Sequence, residues 1–163
     1  MNMALRKPCA DAADHPAITM LWASERAAPI NGSFALWCAA RMELQRGFQP
    51  PYVTLGVFDG GGLIAVILYN NYQPEAGVIE FHGASASSRW LNRRVLREMF
   101  SYPFDQLGCQ MVVARTSGLS GPLHRILKAY GFTSTAIPRL RGRDEDEIIW
   151  TLTDDAWRSN GFH

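Results

Sequence analysis

Val78-Ile79-Glu80-Phe81-His82-Gly83-Ala84, then Ser85-Ala86-Ser87-Ser88, then Arg89-Trp90-Leu91-Asn92-Arg93-Arg94, is the stretch that decides how this chain folds. The first seven residues read as a strand, with Val78, Glu80 and His82 on one face and Ile79 and Phe81 on the other. The serines form a turn, and an arginine-loaded helix start follows. Downstream, Met111 to Thr116 is a second strand and Pro122 to Tyr130 a short helix closing on Gly131-Phe132. Strand, helix, strand is a crossover, so the two strands should lie parallel with a right-handed connection. Arginine is locally unfavourable at a helix N-terminus, which carries partial positive charge. Arg89, Arg93 and Arg94 make better sense there if an anion sits among them, held by the free amides of the first turn. The other reading is a charged solvent face, which Arg97 and Glu98 fit well.

Working outward, the helix after Arg89 puts Leu91, Val95 and Met99 in one row with Leu96 and Phe100 beside it, a core-facing stripe, and Pro103 ends the helix or starts its exit. Met111-Val112-Val113-Ala114 is a continuous apolar run, as in a strand buried on both faces. In the short helix Leu123, Ile126 and Leu127 point inward and Gly131 is the C-terminal glycine. Thr133 to Leu140 and Glu147 to Thr153 form a last antiparallel pair around the polar turn from Arg141 to Asp146, and Asp154 to His163 is a polar tail with room for one helical turn. Upstream, Tyr52 to Phe58, the turn Asp59-Gly60-Gly61-Gly62 and Leu63 to Tyr69 pair as a hairpin. Asn70 to Gly77 is a second turn region, and Val78 to Ala84 completes a meander. Met3 to Lys7 reads as a short first strand. Asp14 with Pro16 caps a helix carrying Ile18, Leu21, Trp22 and Glu25, which Ala27 to Gly32 breaks. Ser33 caps a second helix that buries Phe34, Trp37, Cys38 and Met42 and stops at Gly47.

The length of 163 residues suits one α/β domain with a mixed sheet, and the formal net charge of +1 argues against a broad nucleic-acid-binding face while leaving room for a local basic patch. Cys9, Cys38 and Cys109 are widely spaced and odd in number, which argues against a disulfide framework. The histidines and cysteines lack metal-ligand spacing, so no metal site is expected. Ala4 to Asp14 carries Arg6, Lys7 and two aspartates where a secretory leader has an apolar run, and no segment is long enough to span a bilayer. The expected setting is reduced and cytoplasmic, with no membrane partner.

This order of elements, most specifically Val78 to Phe132, resembles the GNAT superfamily of N-acetyltransferases. The resemblance implies a mixed, mostly antiparallel sheet of six to seven strands flanked by about four helices. It also implies acetyl-CoA as co-substrate. In the family a Gln/Arg-x-x-Gly-x-Gly/Ala loop cradles the pyrophosphate at a helix N-terminus. Arg89-Trp90-Leu91-Asn92-Arg93-Arg94 occupies that place, in a style similar to GNAT-like sequences of bacteria and phages. Asn92 and Arg94 stand where glycines are expected, so arginine-phosphate bonds would replace close backbone approach. The resemblance further implies that Phe81, His82, Gly83 and Ala84 pair with the pantetheine arm like an extra strand. Counting back from Phe132 places Ser120 at the family's asparagine and Leu127 at its tyrosine, the usual proton donor to the departing thiolate. Leu127 cannot donate a proton, so Ser120, His124, Tyr130 or water would do so, or the thiolate leaves unaided.

Acetyl transfer needs a neutral amine, and hence a base. Glu80 and His82 share a strand face beside the expected cofactor, which makes them the candidate bases. The alternative is a solvated strand glutamate and a structural histidine. The acceptor, a small-molecule or peptide amine, is not legible in the sequence. An exposed last strand offers an edge to a second copy of the chain. A catalytically inactive binding or assembly module of the same fold is the alternative to an N-acetyltransferase.

Overall fold

The computed structural model describes residues 17–162. The expected strand at Met3 to Lys7 and the cap at Asp14 lie outside the described residues. Within them, seven strands form one mixed sheet: β1 (Ile18–Ala23), β2 (Val53–Asp59), β3 (Gly62–Gln73), β4 (Val78–Ser85), β5 (Met111–Ser117), β6 (Thr133–Gly142) and β7 (Glu145–Thr153), in the spatial order β1-β2-β3-β4-β5-β7-β6. Only β4 and β5 run parallel; every other pair is antiparallel. Four α-helices accompany them: α1 (Ala28–Arg41), α2 (Arg93–Ser101), α3 (Gly121–Tyr130) and α4 (Asp154–Ser159). The fold class, the meander and the parallel crossover therefore match the expectation. No described helix is long and apolar enough to cross a membrane.

Strand alternation splits the core. On one face Ile67, Tyr69, Ile79, Phe81, Val112 and Leu152 pack under α2, α3 and α4. On the other, Val66 and Ala84 meet Phe34 and Cys38 of α1. α1 contacts β1 to β4. Hydrogen bonds from Trp22 Nε1 to Glu98 (2.7 Å) and from the Tyr69 hydroxyl to the Met99 carbonyl (2.7 Å) help fix α2 to the sheet.

The N-terminal half departs from expectation. Ile18 to Ala23 is a strand, paired with β2 from Ile18↔Asp59 to Ala23↔Thr54. Ile18-Thr19-Met20-Leu21-Trp22 is apolar enough to fit either period. The β period wins because Ile18, Met20 and Trp22 pack on the core while Leu21 is 43% exposed. The first α-helix starts at Ala28 and runs through the segment expected to break it, because Pro29 stands in its first turn, where a missing N–H costs nothing. Asn31 anchors that turn, donating to the Tyr52 carbonyl and accepting from Thr54. Ser33 is inside the helix and bonds back to the Pro29 carbonyl. The helix ends at Arg41, before Gly47.

Smaller corrections follow the same logic. β3 extends to Gln73, so the turn shortens to residues 74–77. Pro103 stands in the exit from α2, as one of the two expected readings has it: a π-type turn, Tyr102–Gln106, carries the chain on, with Leu107 N bonding to the Tyr102 carbonyl. β5 alternates in burial, with Val112 and Ala114 inward, and is not buried on both faces. The final hairpin turns between Gly142 and Glu145. The C-terminal tail buries Trp157 through α4, whose first turn Thr153 caps.

A Cβ on Gly56 would lie 2.5 Å from the Phe34 ring, so α1 approaches the sheet only because β2 carries glycine there. Gly56→Ala should destabilise the protein by about 1–3 kcal/mol through overpacking, with Phe34→Leu recovering part of the loss. Chemical denaturation of both variants checks this; equal stability of Gly56→Ala and the parent would contradict it.

Candidate active site

β4 and β5 pair over three rows only, Val78↔Met111, Ile79↔Val112 and Glu80↔Val113. Beyond Glu80 they part. β4 keeps its partner β3 out to Ser85, and β5 keeps β7 out to Ser117. The opening is a cleft of about 970 Å³ whose lining runs from β4 (Phe81 to Ser85) to β5 (Ala114 to Ser117) and down to α2 and α3. That volume is in the range of small-ligand sites. The cleft passes through the sheet: Arg41, His82, Arg115 and Arg141 lie at its α1 side, and Leu96, Leu127 and Phe132 at its α2/α3 side.

The residues singled out in the sequence divide among four environments. Phe81, His82, Gly83 and Ala84 line the cleft along the edge of β4. A Cβ on Gly83 would meet nothing nearer than the Val66 carbonyl at 3.9 Å, so packing does not demand glycine there; its absence of side chain leaves space beside the backbone. Ser120 and Leu127 line the cleft from the start and the later part of α3. Leu123 and Ile126, expected to face inward, are 43% and 46% exposed and line it as well.

The arginine segment is arranged differently from expectation. Ser88–Trp90 is a single 3₁₀ turn, and α2 begins only at Arg93. Asn92 is its N-cap: Oδ1 accepts from Val95 N at 3.1 Å. The amides of Arg93 and Arg94 have no acceptor within the helix. Leu91 precedes the helix and is 37% exposed, outside the row formed by Val95 and Met99. Trp90 and Leu91 line the cleft. Arg89 makes an ion pair with Asp59 (2.6 Å), and Arg94 donates to the Ile18 carbonyl (3.2 Å). Arg93 makes no ion pair among the described residues; its guanidinium lies 6.0 Å from the Phe162 ring.

Glu80 and His82 share the α1 face of the sheet. His82 Nε2 is 3.1 Å from Asn70 Oδ1 and 3.5 Å from Glu80 Oε1. An amide oxygen only accepts, so Nε2 carries the proton and Nδ1 keeps its lone pair. Glu80 accepts from Asn71 Nδ2 at 2.9 Å and does not itself line the cleft. Phe48 covers the imidazole, with ring centres 4.9 Å apart. Burial pushes the His82 pKa below its ordinary value; Glu80 opposes that push and Arg115 adds to it. The imidazole is therefore neutral near pH 7.

The polar groups of β5, β6 and β7 complete the site, and the sequence did not single them out. Arg115 bonds to Glu147, which also accepts from Arg141 at 3.2 Å. Thr116 accepts from Trp150 Nε1 (3.0 Å) and contacts His124 (3.0 Å). These pairs join residues far apart in sequence; the one available signal was Arg115, a charge ending the apolar run of β5. Tyr130 lines the cleft, but its hydroxyl is directed at Asn160 and Trp157, and burial pushes its pKa up to about 12.

Neither a protein-family model nor a curated protein matches the chain. Solved structures match it in fold. A point mutant of the spermidine N-acetyltransferase SpeG from Vibrio cholerae superposes with a TM-score of 0.67 at 11% identity, covering 87% of this chain and 96% of its own. A protein named a probable acetyltransferase gives 0.63 at 14% identity, covering 90% and 97%. A provisionally named acetyltransferase from T. thermophilus gives 0.59 at 16% identity, covering 69% and 64%. The chain spans less than two thirds of the length of that protein and of another so named, 64% and 62%. The shared property is the GNAT-type fold of these acetyltransferases.

Glu147 is 5% exposed and holds two guanidiniums that are each about 40% exposed. Glu147→Ala should lower stability by about 1–3 kcal/mol, less than a fully buried pair because water can reach the arginines. Unfolding by denaturant measures it; an unchanged midpoint would mean the cluster contributes nothing to the fold.

Proposed function

We propose that the chain is an acetyl-CoA-dependent N-acetyltransferase that moves an acetyl group directly to a primary amine. The observation that carries this reading is the parting of β4 from β5 beside Gly83. It leaves the backbone groups of Phe81 to Ser85 on the β5 side without a strand partner, next to a cleft and a helix start. Such groups want hydrogen bonds, and an amide-bearing pantetheine arm would supply them as an added strand does. The fit holds on this chain's own residues. Gly83 leaves room, Trp90 and Leu91 line the cleft with apolar contact, and the Arg93 and Arg94 amides, without acceptors at the start of α2, would hold a diphosphate there. Of the three arginines, Arg93 is the one that no described carboxylate or carbonyl engages, and it would pair with that diphosphate.

Acetyl-CoA supplies the acyl group as a thioester. The acceptor, if it arrives as ammonium, first loses a proton to solvent. Its nitrogen then bonds to the carbonyl carbon as the carbon–sulfur bond breaks, its second proton passes to His82 Nδ1, and the thiolate takes a proton from water. On this reading His82 would touch the amine, and Glu80 would be a positioning residue that steadies the charge the imidazole gains. Leu127 donates nothing, and a thiolate tolerates unaided departure. A second reading, a binding module of the same fold, is favoured by the absence of a hydroxyl at Leu127 and by the engagement of Arg89 and Arg94 with the protein itself.

Calorimetry with acetyl-CoA and with coenzyme A, followed by thiol release across an amine panel, tests the proposal. Gly83→Val should fold normally and bind acetyl-CoA at least about tenfold more weakly, a loss of the size of one or two hydrogen bonds. Arg93→Ala should weaken binding too. If neither ligand binds at millimolar concentration, the transferase reading fails; binding without thiol release supports the second reading.

The pH profile separates the two candidate bases. Measured with an acceptor amine that is itself neutral in this range, the acidic limb of kcat/KM should fall below the ordinary histidine value of 6.5, because burial favours the neutral ring. Glu80 raises that pKa, so Glu80→Gln should move the limb to still lower pH while activity persists. His82→Gln should cost about 10²–10⁴ in rate. The reverse pattern, with Glu80→Gln inactive and His82→Gln active, would make Glu80 the base.

A further inference from the structure

The charged lining of the cleft has one sign. Arg41, Arg115 and Arg141 reach it, with His82 beside them, and among the described residues no aspartate or glutamate lines it. Glu147 lies behind the pair, 5% exposed, accepting from one nitrogen of Arg115 and one of Arg141. The two guanidinium side chains remain 42% and 38% exposed. Each has five N–H donors, so both keep free donors after pairing with Glu147 and, for Arg141, with Glu145 at 3.0 Å. A buried carboxylate thus fixes two forks of the shape that binds a carboxylate through paired hydrogen bonds. Holding them in place removes part of the ordering cost of binding. Arg41 stacks on Trp37 at 3.9 Å and makes no ion pair among the described residues.

Position relates this pair to the chemistry. His82 and Arg115 each stand two residues beyond the last paired row, Glu80↔Val113, on the same face of the sheet. They face each other across the opening, one from each lip. A polycation entering here meets like charge with no lining carboxylate to receive it.

We propose that the acceptor is an amine that also bears a carboxylate, of the chemical class of an amino acid, with the carboxylate on Arg115 and Arg141 and the amine toward His82. The assignment rests on the acetyl-transfer reading for the fate of the amine, but not for the anion site itself. A short acceptor fits the geometry, because base and guanidinium flank one opening.

The test uses matched pairs: amino acids and their C-terminal amides, with spermidine and phosphoethanolamine as further arms. Thiol release from acetyl-CoA gives kcat/KM. Calorimetry, with and without coenzyme A, gives affinity independently of turnover. The acid should exceed its amide by at least about tenfold, the weight of one charge-assisted hydrogen bond. Arg141→Gln should shrink that ratio through KM. Arg115→Lys, which leaves Glu147 paired, should shrink it too, and melting curves verify that both variants fold. Preferential binding of the acid without turnover supports the anion site and counts against the transferase reading. Turnover of amides or spermidine with no preference for the acid overturns the proposal and leaves acetyl transfer standing. Preference for phosphoethanolamine over every amino acid also overturns it, as does failure of both acid and amide to bind.

Discussion

The parting of β4 from β5 is the constraint on which the rest of this structure depends. A parallel pair that continued in register would consume the backbone donors and acceptors of both strands. Three paired rows suffice to hold the strands together, after which the chain leaves the β5-side groups of Phe81 to Ser85 open. Buried or half-buried backbone groups need partners, so an opening of this kind is either wet or made for a ligand that brings amides. The cleft beside it is about 970 Å³ and largely apolar toward α2 and α3, and the proposed function takes it as the second case.

Both lips are held from behind. β4 is paired with β3 along its length, from Gln73↔Val78 to Ala65↔Ser85. β5 is drawn the other way by seven rows of pairing with β7, by the Arg115–Glu147 ion pair and by the bond from Trp150 to Thr116. The floor on one side is α2, anchored by Glu98 to Trp22 and by the Met99 carbonyl to Tyr69. The two faces of the opening have different chemistry as a result. Toward α2 and α3 it is lined by leucine, methionine and aromatic rings; toward α1 it carries an imidazole and guanidiniums. This separation gives the one opening an apolar side and a charged side.

Much of this order could be read from the residues. The crossover from Val78 to Phe132 follows from local signals: an alternating strand, a serine turn, an amphipathic helix and a glycine with φ +116° after α3. The alternation that puts Glu80 and His82 on one face follows from the strand period alone. Ile18 to Trp22 was illegible because its apolar residues satisfy both a helical and a strand period, and only pairing with β2 decides between them. The segment Ala27 to Gly32 reads as a helix breaker because a proline such as Pro29 looks the same whether it ends one helix or opens the next. At the cleft, the contribution of Arg115, Arg141 and Glu147 lay beyond sequence reasoning, since it arises from register between β5, β7 and β6. The arginines of residues 89–94 stood out by position, yet the capping of α2 by Asn92 moves the helix start past Arg89 and gives that residue to Asp59.

Amide hydrogen exchange, resolved residue by residue over β4, addresses the central point most directly. The amides of Phe81 to Ser85 that point away from β3 should exchange quickly in the free protein and slow markedly when coenzyme A is added, while those bonded to β3 stay unchanged. Slow exchange of all of them without ligand, or no change on addition at saturating concentration, would contradict the view that this strand edge is where the ligand binds.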